Sequence, residues 1–391
     1  MKYDFETVRD RSNSGSAKWL EMKKKNPQVE RGIVPFSVAD MEFVTAPEIV
    51  CGLQDAVGGL ALGYTEPTDA YFEAVCGWMR RRHGWEVRPE WIETSPGVVI
   101  GLGLCVNAFT QPGDGVIVMP PVYYPFFLVA QNNGRVLVQN ELINRGGRYE
   151  IDFEDLESKV RNPQNKMLLL CSPHNPVGRV WTKDELRQVG ELCEKHGVLV
   201  VADEIHSDLV MPGYRHTVFS TAKEGFGSNS VILTAPSKTF NLAGMQASNI
   251  IIQEEGLREK FHAEKMKIGL IELNVLAYEA CKAAYNNSAA WLEELISVLY
   301  KNSKLVESFV AKNLPDITVT PLEGTYLQWL DMRRLEMTDA ELENRMTQEA
   351  QLFFDEGYIF GKGGSGFERI NIACPQKVLE QGLERLYQVL R

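Results

Sequence analysis

Five places along the 391-residue chain group polar residues that a plain turn does not need. They are Ser95-Pro96-Gly97-Val98-Val99, Pro120-Pro121-Val122-Tyr123-Tyr124-Pro125, Ser172-Pro173-His174-Asn175-Pro176-Val177-Gly178, Asp203-Glu204-Ile205-His206 and Pro236-Ser237-Lys238-Thr239. Each offers one piece of chemistry. Lys238 offers a primary amine, which becomes a nucleophile and base when burial lowers its pKa. Asp203 offers a carboxylate, Asn175 an amide donor and Tyr123 a flat ring. The backbone of Gly97, Val98 and Val99 offers N–H groups at the positive end of a helix, where an anion is stabilised. Ser237 adds a hydroxyl. Singly, each has an ordinary explanation: Asn-Pro opens turns, an Asp after a strand caps a helix, and proline-flanked tyrosines pack.

Together they meet the needs of one cofactor, pyridoxal 5′-phosphate. It requires an amine to join its aldehyde, a carboxylate at its pyridine nitrogen, a donor to its phenolic oxygen, a ring to stack on and a phosphate cradle. Lys238, Asp203, Asn175 and Tyr123 supply the first four, and Gly97–Val99 with Ser237 supply the fifth. With the ring nitrogen protonated over Asp203, the ring is a sink for electrons released at a substrate Cα. A nucleotide-binding reading fails because neither GxGxxG nor a P-loop occurs.

The elements that must position these groups are legible nearby. Val116–Met119, Met167–Cys171, Val198–Ala202 and Val231–Ala235 are short continuous apolar runs, as expected of strands buried on both faces of a parallel sheet. Lys183–His196 reads as a helix between them, with Thr182 as N-cap and Gly197 just beyond its end. The alternation predicts an open α/β sheet whose ligand sits beyond the strand carboxyl ends. The Ser95–Val99 stretch reads as a loop feeding a helix that runs toward Phe109. After about residue 285 the pattern changes: helical stretches Trp291–Asn313 and Thr338–Glu356 bracket a β-like stretch, Ile317–Leu330, and a strand-like run, Glu368–Ala373, precedes a last helix. We therefore expect a large cofactor-binding domain over 46–285 and a smaller α+β domain over 286–391. Residues 1–45 form an N-terminal segment that packs with the small domain.

Bulk composition narrows the class. The net charge of −11 and the lack of a basic block argue against nucleic acid. Lys23, Lys24 and Lys25 read as a solvated helix end. Seven irregularly spaced cysteines with no CxxC argue for buried reduced thiols rather than disulfides or a zinc site. His174 and His206 lie near the expected site but lack a third ligand at metal spacing, so no metal is expected. His83, His196, His216 and His262 read as surface or packing residues. No secretory signal or membrane-length apolar run is evident, and a cytoplasmic location is expected.

SPHNPVGRVWTKDEL, VVADEIHSDLV and APSKTFNLAGMQ, in that order, resemble fold-type I pyridoxal-phosphate enzymes of the aminotransferase class I/II superfamily. VADMEF (38–43), GYT (63–65), RHGWEV (82–87), SPGVVIGL (95–102), PPVYYPFF (120–127), EGTYLQWLD (323–331) and FERINIACP (367–375) are similar to its MalY/PatB-type cystathionine β-lyase, or C–S lyase, branch. The resemblance runs from about residue 30 to the C-terminus. It implies a large domain with a mostly parallel seven-stranded sheet between helices, plus a smaller α+β domain. It also implies that Lys238 carries the cofactor and shuttles the proton, and that Arg369 grips the substrate α-carboxylate. Tyr64 would reach the phosphate in a neighbouring subunit, hence a homodimer with shared sites. Asn175, Tyr64 and Tyr124 join Arg369 as substrate contacts, and the pocket walls draw on Tyr64, Tyr123, Tyr124 and Tyr326. Two positions depart from the wider superfamily. His206 stands where a tyrosine is common, and Gln246 stands where an arginine commonly binds phosphate.

The resemblance implies α,β-elimination at a carbon–sulfur bond of cystathionine or another cysteine S-conjugate, giving a thiol, pyruvate and ammonia. Amino transfer on the same cofactor is the first alternative. A regulatory binding protein on the same fold is the second, and the intact Lys238, Asp203 and Arg369 argue against it.

Overall fold

A computed structural model describes residues 2–391. Seven strands form one sheet in the order Ile92–Ser95, Ser248–Ile251, Ser230–Thr234, Leu199–Asp203, Asn165–Cys171, Gly115–Val118, Val136–Gln139. Every pairing is parallel except the two made by Ser248–Ile251. The apolar runs are continuous because both faces are covered. Leu168, Leu170, Val200, Ala202 and Ile232 join one core, while Met167, Leu169, Val201, Val231 and Leu233 join the other. The four expected strands are present, with ends moved by one or two residues. The helix Lys183–His196 forms as read. Thr182 and Glu185 make a reciprocal capping box, and Gly197 takes the left-handed conformation that ends it.

A second, antiparallel sheet has the order Thr318–Val319, Leu327–Asp331, Phe367–Asn371, Asp355–Glu356. Two expectations are corrected here. The stretch Ile317–Leu330 is two strands, separated by a loop in which Thr325 N–H bonds the Leu209 carbonyl. The expected helix Thr338–Glu356 stops early: Asp339–Asn344 is helical, Arg345–Glu349 widens into a π turn, and Asp355–Glu356 is a strand. Periodicity alone carries the apolar pattern through Phe354. Tertiary pairing overrides it, because the Phe353 carbonyl accepts Phe36 N–H at 2.9 Å and Phe36 packs on Phe354.

Residues 2–45 contain one helix, Ala17–Lys25, and otherwise turns and irregular chain that bonds to both the large and the small part of the molecule. Asn371 N–H bonds the Phe36 carbonyl, Glu42 N–H bonds the Ala373 carbonyl, and Met41 N–H bonds Asn241. Lys25 is not simply solvated. It is partly buried and pairs with Glu343 at 3.2 Å and with Glu356.

Candidate active site

Beyond the carboxyl ends of the parallel strands lies a cavity of about 240 Å³, the place where open α/β sheets bind ligands. Tyr123, Asn175, Asp203, His206, Ser237 and Lys238 all line it. Gly97, Val98 and Val99 close one end. Register explains the convergence: Cys171 sits beside Asp203, and Asp203 beside Leu233, so three consecutive strand ends are level.

Lys238 lies on a one-turn helix, Pro236–Thr239, directly after Ser230–Thr234. Its Nζ donates to the Ala39 carbonyl at 2.8 Å. Burial, then the Arg369 guanidinium, push the amine down to about 8, against the pull of Asp40, Asp203 and Asp355. Asp203 is only 4% exposed. Burial raises its carboxyl to about 7, although it accepts Ile205 N–H at 3.1 Å. His206 is held well below the usual imidazole range, first by burial and then by Lys238 and Arg369. It is therefore a neutral ring, edge-on to Tyr326 at 6.0 Å, with a buried, unpartnered Nδ1.

Arg369 stands on Phe367–Asn371 beside this cavity. Its Nη1 donates to Asn175 Oδ1 at 2.7 Å, and its Nε and Nη2 donate to Asp355 Oδ2 at 3.2 and 2.6 Å. Asn175 thus spends its oxygen on the arginine and keeps its NH₂ for another acceptor.

Not every expected residue converges. Tyr64 is fully exposed and does not line the cavity of its own chain. Tyr124 is 41% exposed and lines a neighbouring cleft of about 570 Å³ with Val38 and Asp355. Tyr326 is completely buried, its hydroxyl without a partner. His174 is buried away from the cavity, with its Nε2 on the Pro121 carbonyl and its ring edge-on to Trp181. Gln246 does line the cavity, so Lys238 is the one cationic side chain among its described lining residues.

Sequence reasoning missed three contributors. Ala39 acts through a carbonyl, which no side chain advertises. Asp355 lies in the stretch misread as helix. Asp208, five residues after Asp203, is the third. Its carboxylate accepts Thr239 Oγ1 at 2.8 Å and Trp78 Nε1 at 3.2 Å, and its Oδ1 lies 2.9 Å from His83 Nε2. Of the surface or packing roles read for His83 and His216, packing is the one seen: both side chains are covered and hydrogen-bonded, and His216 Nε2 sits 2.9 Å from Glu204. Asp208 ties the loop after one strand to the turn that carries Lys238. Asp208→Ala is expected to cost about 3 kcal/mol or more, since it strands several buried donors. Denaturant unfolding measures it.

The residues fit pyridoxal 5′-phosphate. A buried carboxylate that makes no salt bridge among the described residues suits a protonated ring nitrogen. The helix Val98–Phe109 opens on the cavity, and its first amides have no intrahelical acceptor. Gly97 precedes them at φ 109°, a conformation that side-chain-bearing residues avoid. One turn on, a Cβ at Gly101 would meet Ile250 Cδ1 at 2.7 Å, so the helix is seated directly on the sheet.

The comparisons agree with this geometry. The model of the aminotransferase class I and II family matches residues 31–386. Cystathionine beta-lyase PatB of Bacillus subtilis is 43% identical over 387 residues, covering 99% of this chain and 100% of that one. Protein MalY of Escherichia coli is 31% identical, covering 100% and 99%. The crystal structure of cystalysin from Treponema denticola, which contains a pyridoxal 5′-phosphate cofactor, superposes with a TM-score of 0.98 at 47% identity, covering 100% of this chain and 99% of that one. With the cavity, the strand-end residues and these full-length likenesses in agreement, the chain belongs to the aminotransferase class I and II family.

Proposed function

We propose that the chain is a pyridoxal 5′-phosphate-dependent C–S lyase acting on S-substituted cysteines, cystathionine among them. The observation that carries the reading is that Lys238, Asp203 and Asn175 line one cavity, with Arg369 bonded to Asn175 beside it. Full-length likeness to a named cystathionine β-lyase selects elimination over amino transfer.

When bound, the cofactor supplies an aldehyde that captures an amine and a ring that withdraws electrons from the adjacent carbon. Asp203 would hold the ring nitrogen, Asn175 Nδ2 the phenolic oxygen and Tyr123 the ring face. The N–H groups of Val98 and Val99 with Ser237 would hold the phosphate, and His206 would contact the cofactor as a neutral ring. Arg369 takes the substrate α-carboxylate through its remaining N–H groups, a charge-assisted recognition. Lys238 Nζ, near 8, is poised at ordinary pH to take the Cα proton as the thiolate leaves Cβ. The aminoacrylate product hydrolyses to pyruvate and ammonia.

In this reading the enzyme works as a homodimer in the cytoplasm, and the partner subunit's Tyr64 completes the phosphate site. The exposed Leu62, Tyr64, Ile268 and Ile271 support a covering second copy. No helix among the described residues is long and apolar enough to cross a membrane. Residues 46–285 would form the large domain and 286–391 the small one, with the N-terminal segment packing with the small domain.

A panel of S-substituted cysteines tests the activity. Pyruvate and thiol are expected in equal amounts with no keto acid added. A strict keto-acid requirement with no thiol release would overturn the proposal.

A further inference from the structure

One oxygen joins the two halves of the site. Asp355 Oδ2 accepts Arg369 Nη2 at 2.6 Å, Arg369 Nε at 3.2 Å and the Val38 N–H at 2.9 Å. Strand register makes the first two contacts, since Asp355 sits directly opposite Arg369. The third reaches a residue under strain. Val38 has φ 57°, in the left-handed region, where a β-branched residue costs about 1–3 kcal/mol. Such a conformation persists only where its surroundings fix it. Here Asp355 holds the Val38 N–H, and Asn371 Nδ2 donates to the Val38 carbonyl at 2.7 Å and the Asp40 carbonyl at 2.9 Å. The result is to aim the next carbonyl, that of Ala39, at Lys238 Nζ, 2.8 Å away.

We infer that Asp355 is a positioning residue with two duties: it orients the Arg369 guanidinium for the substrate carboxylate, and it fixes the backbone at Val38, from which the Ala39 carbonyl is aimed at Lys238. The first duty rests on the reading of Arg369 given above; the second does not. Three of the guanidinium's five N–H groups are committed, two to Asp355 and one to Asn175. The remaining two N–H groups, one on Nη1 and one on Nη2, are left for a carboxylate, which a guanidinium can engage with two parallel bonds. Asp355 therefore leaves the productive edge free and prevents the head from swinging. The anionic carboxylate also favours the protonated form of Lys238.

Asp355→Ala and Asp355→Asn separate these duties from a merely structural one. Loss of a charge-assisted contact predicts a KM for S-substituted cysteines raised about tenfold or more in the alanine variant, a larger factor than its effect on kcat. Asparagine, which keeps an acceptor oxygen, should recover part of the loss. In an Arg369→Ala background, adding Asp355→Ala should raise KM little further, because the two act as a unit. The second readout needs no turnover. The cofactor-free full-length protein is treated with an amine-acylating reagent across a pH series, and modification of Lys238 is read by peptide mass. Its midpoint should move downward in both Asp355 variants. An unchanged KM, or additive losses in the double variant, would overturn the first duty. An unmoved Lys238 midpoint would overturn the second. If the wild-type protein released no thiol at all, the lyase reading would fail while the labelling result stood on its own.

Discussion

Lys238→Ala is expected to lower thiol-forming turnover on the order of 10⁴-fold, the upper range for removing a positioned general base. The protein should stay folded. Lys238 has its amine pushed down from 10.5 to about 8. A lysine depressed in this way binds fewer protons folded than unfolded. Its burial therefore costs stability below pH 8, and that cost fades as pH rises from 8 toward 10.5. The cost is on the order of 3–4 kcal/mol at most. Alanine removes it but leaves the Ala39 carbonyl unpaired, a loss of about 1–3 kcal/mol. The two nearly offset each other at neutral pH, so the melting temperature should move little while turnover collapses. Small primary amines added to the variant should restore part of the rate, because they can occupy the vacated space and accept the Cα proton. A variant that retained more than a tenth of wild-type turnover would remove Lys238 from the chemistry. A loss of turnover matched by loss of the fold would show only that the lysine is structural.

The same two properties, burial and chemistry, decide what the sequence reveals. Four of the main sheet's seven strands were legible because they are buried on both faces, so apolar runs mark them and the polar residues that follow mark their ends. The partly exposed Val136–Gln139 and Ser248–Ile251, which buries Ser248 and Asn249, carry no run of that length. Lys238, Asp203, Asn175 and Tyr123 were found that way, and they do line one cavity. Asp355 was hidden because the chain from Asp339 keeps a helical apolar rhythm past the point where its backbone leaves the helix. The π turn at Arg345–Glu349, with Leu352 N–H bonding the Met346 carbonyl, and the pairing of Phe353 with Phe36 are contacts across 300 residues of sequence or irregularities within one turn. Neither has a local signature. The choice between surface and packing for His83 and His216 stayed open for a related reason. A histidine looks alike in sequence whether it faces water or a buried carboxylate, and Asp208 and Glu204 lie more than ten residues from their partners. Tyr64 is a different case. It is exposed in its own chain, so its role comes from the family resemblance and not from its packing within one subunit.

Asp203→Asn should move stability and activity in opposite directions, and the pH dependence should show why. In the cofactor-free chain Asp203 is buried and its carboxyl is raised from 3.8 to about 7. A raised carboxylate keeps its proton in the folded state after the unfolded chain has lost it. Stability is therefore full below pH 3.8 and falls as pH climbs toward 7. By pH 8 the accumulated cost is about 4 kcal/mol. Asparagine has the same shape and carries no such cost. The cofactor-free Asp203→Asn protein should then melt several degrees above the cofactor-free wild type at pH 8, and the difference should shrink toward pH 4. Turnover should fall about 10²-fold or more, because a neutral amide cannot hold the ring nitrogen protonated, and preorganised charge at a reacting group is commonly worth that much. Thermal melts of both cofactor-free proteins across pH, beside kcat for thiol release, measure the two effects. An Asp203→Asn variant no more stable than wild type at pH 8 would mean that the carboxylate already has a cation partner in the free protein. A variant that kept wild-type kcat would mean that the ring needs no anion. Either result would break the link between the buried charge and the chemistry. The expected result makes Asp203 a carboxylate held at a cost to the free fold, one that is relieved when a cationic ring sits beside it.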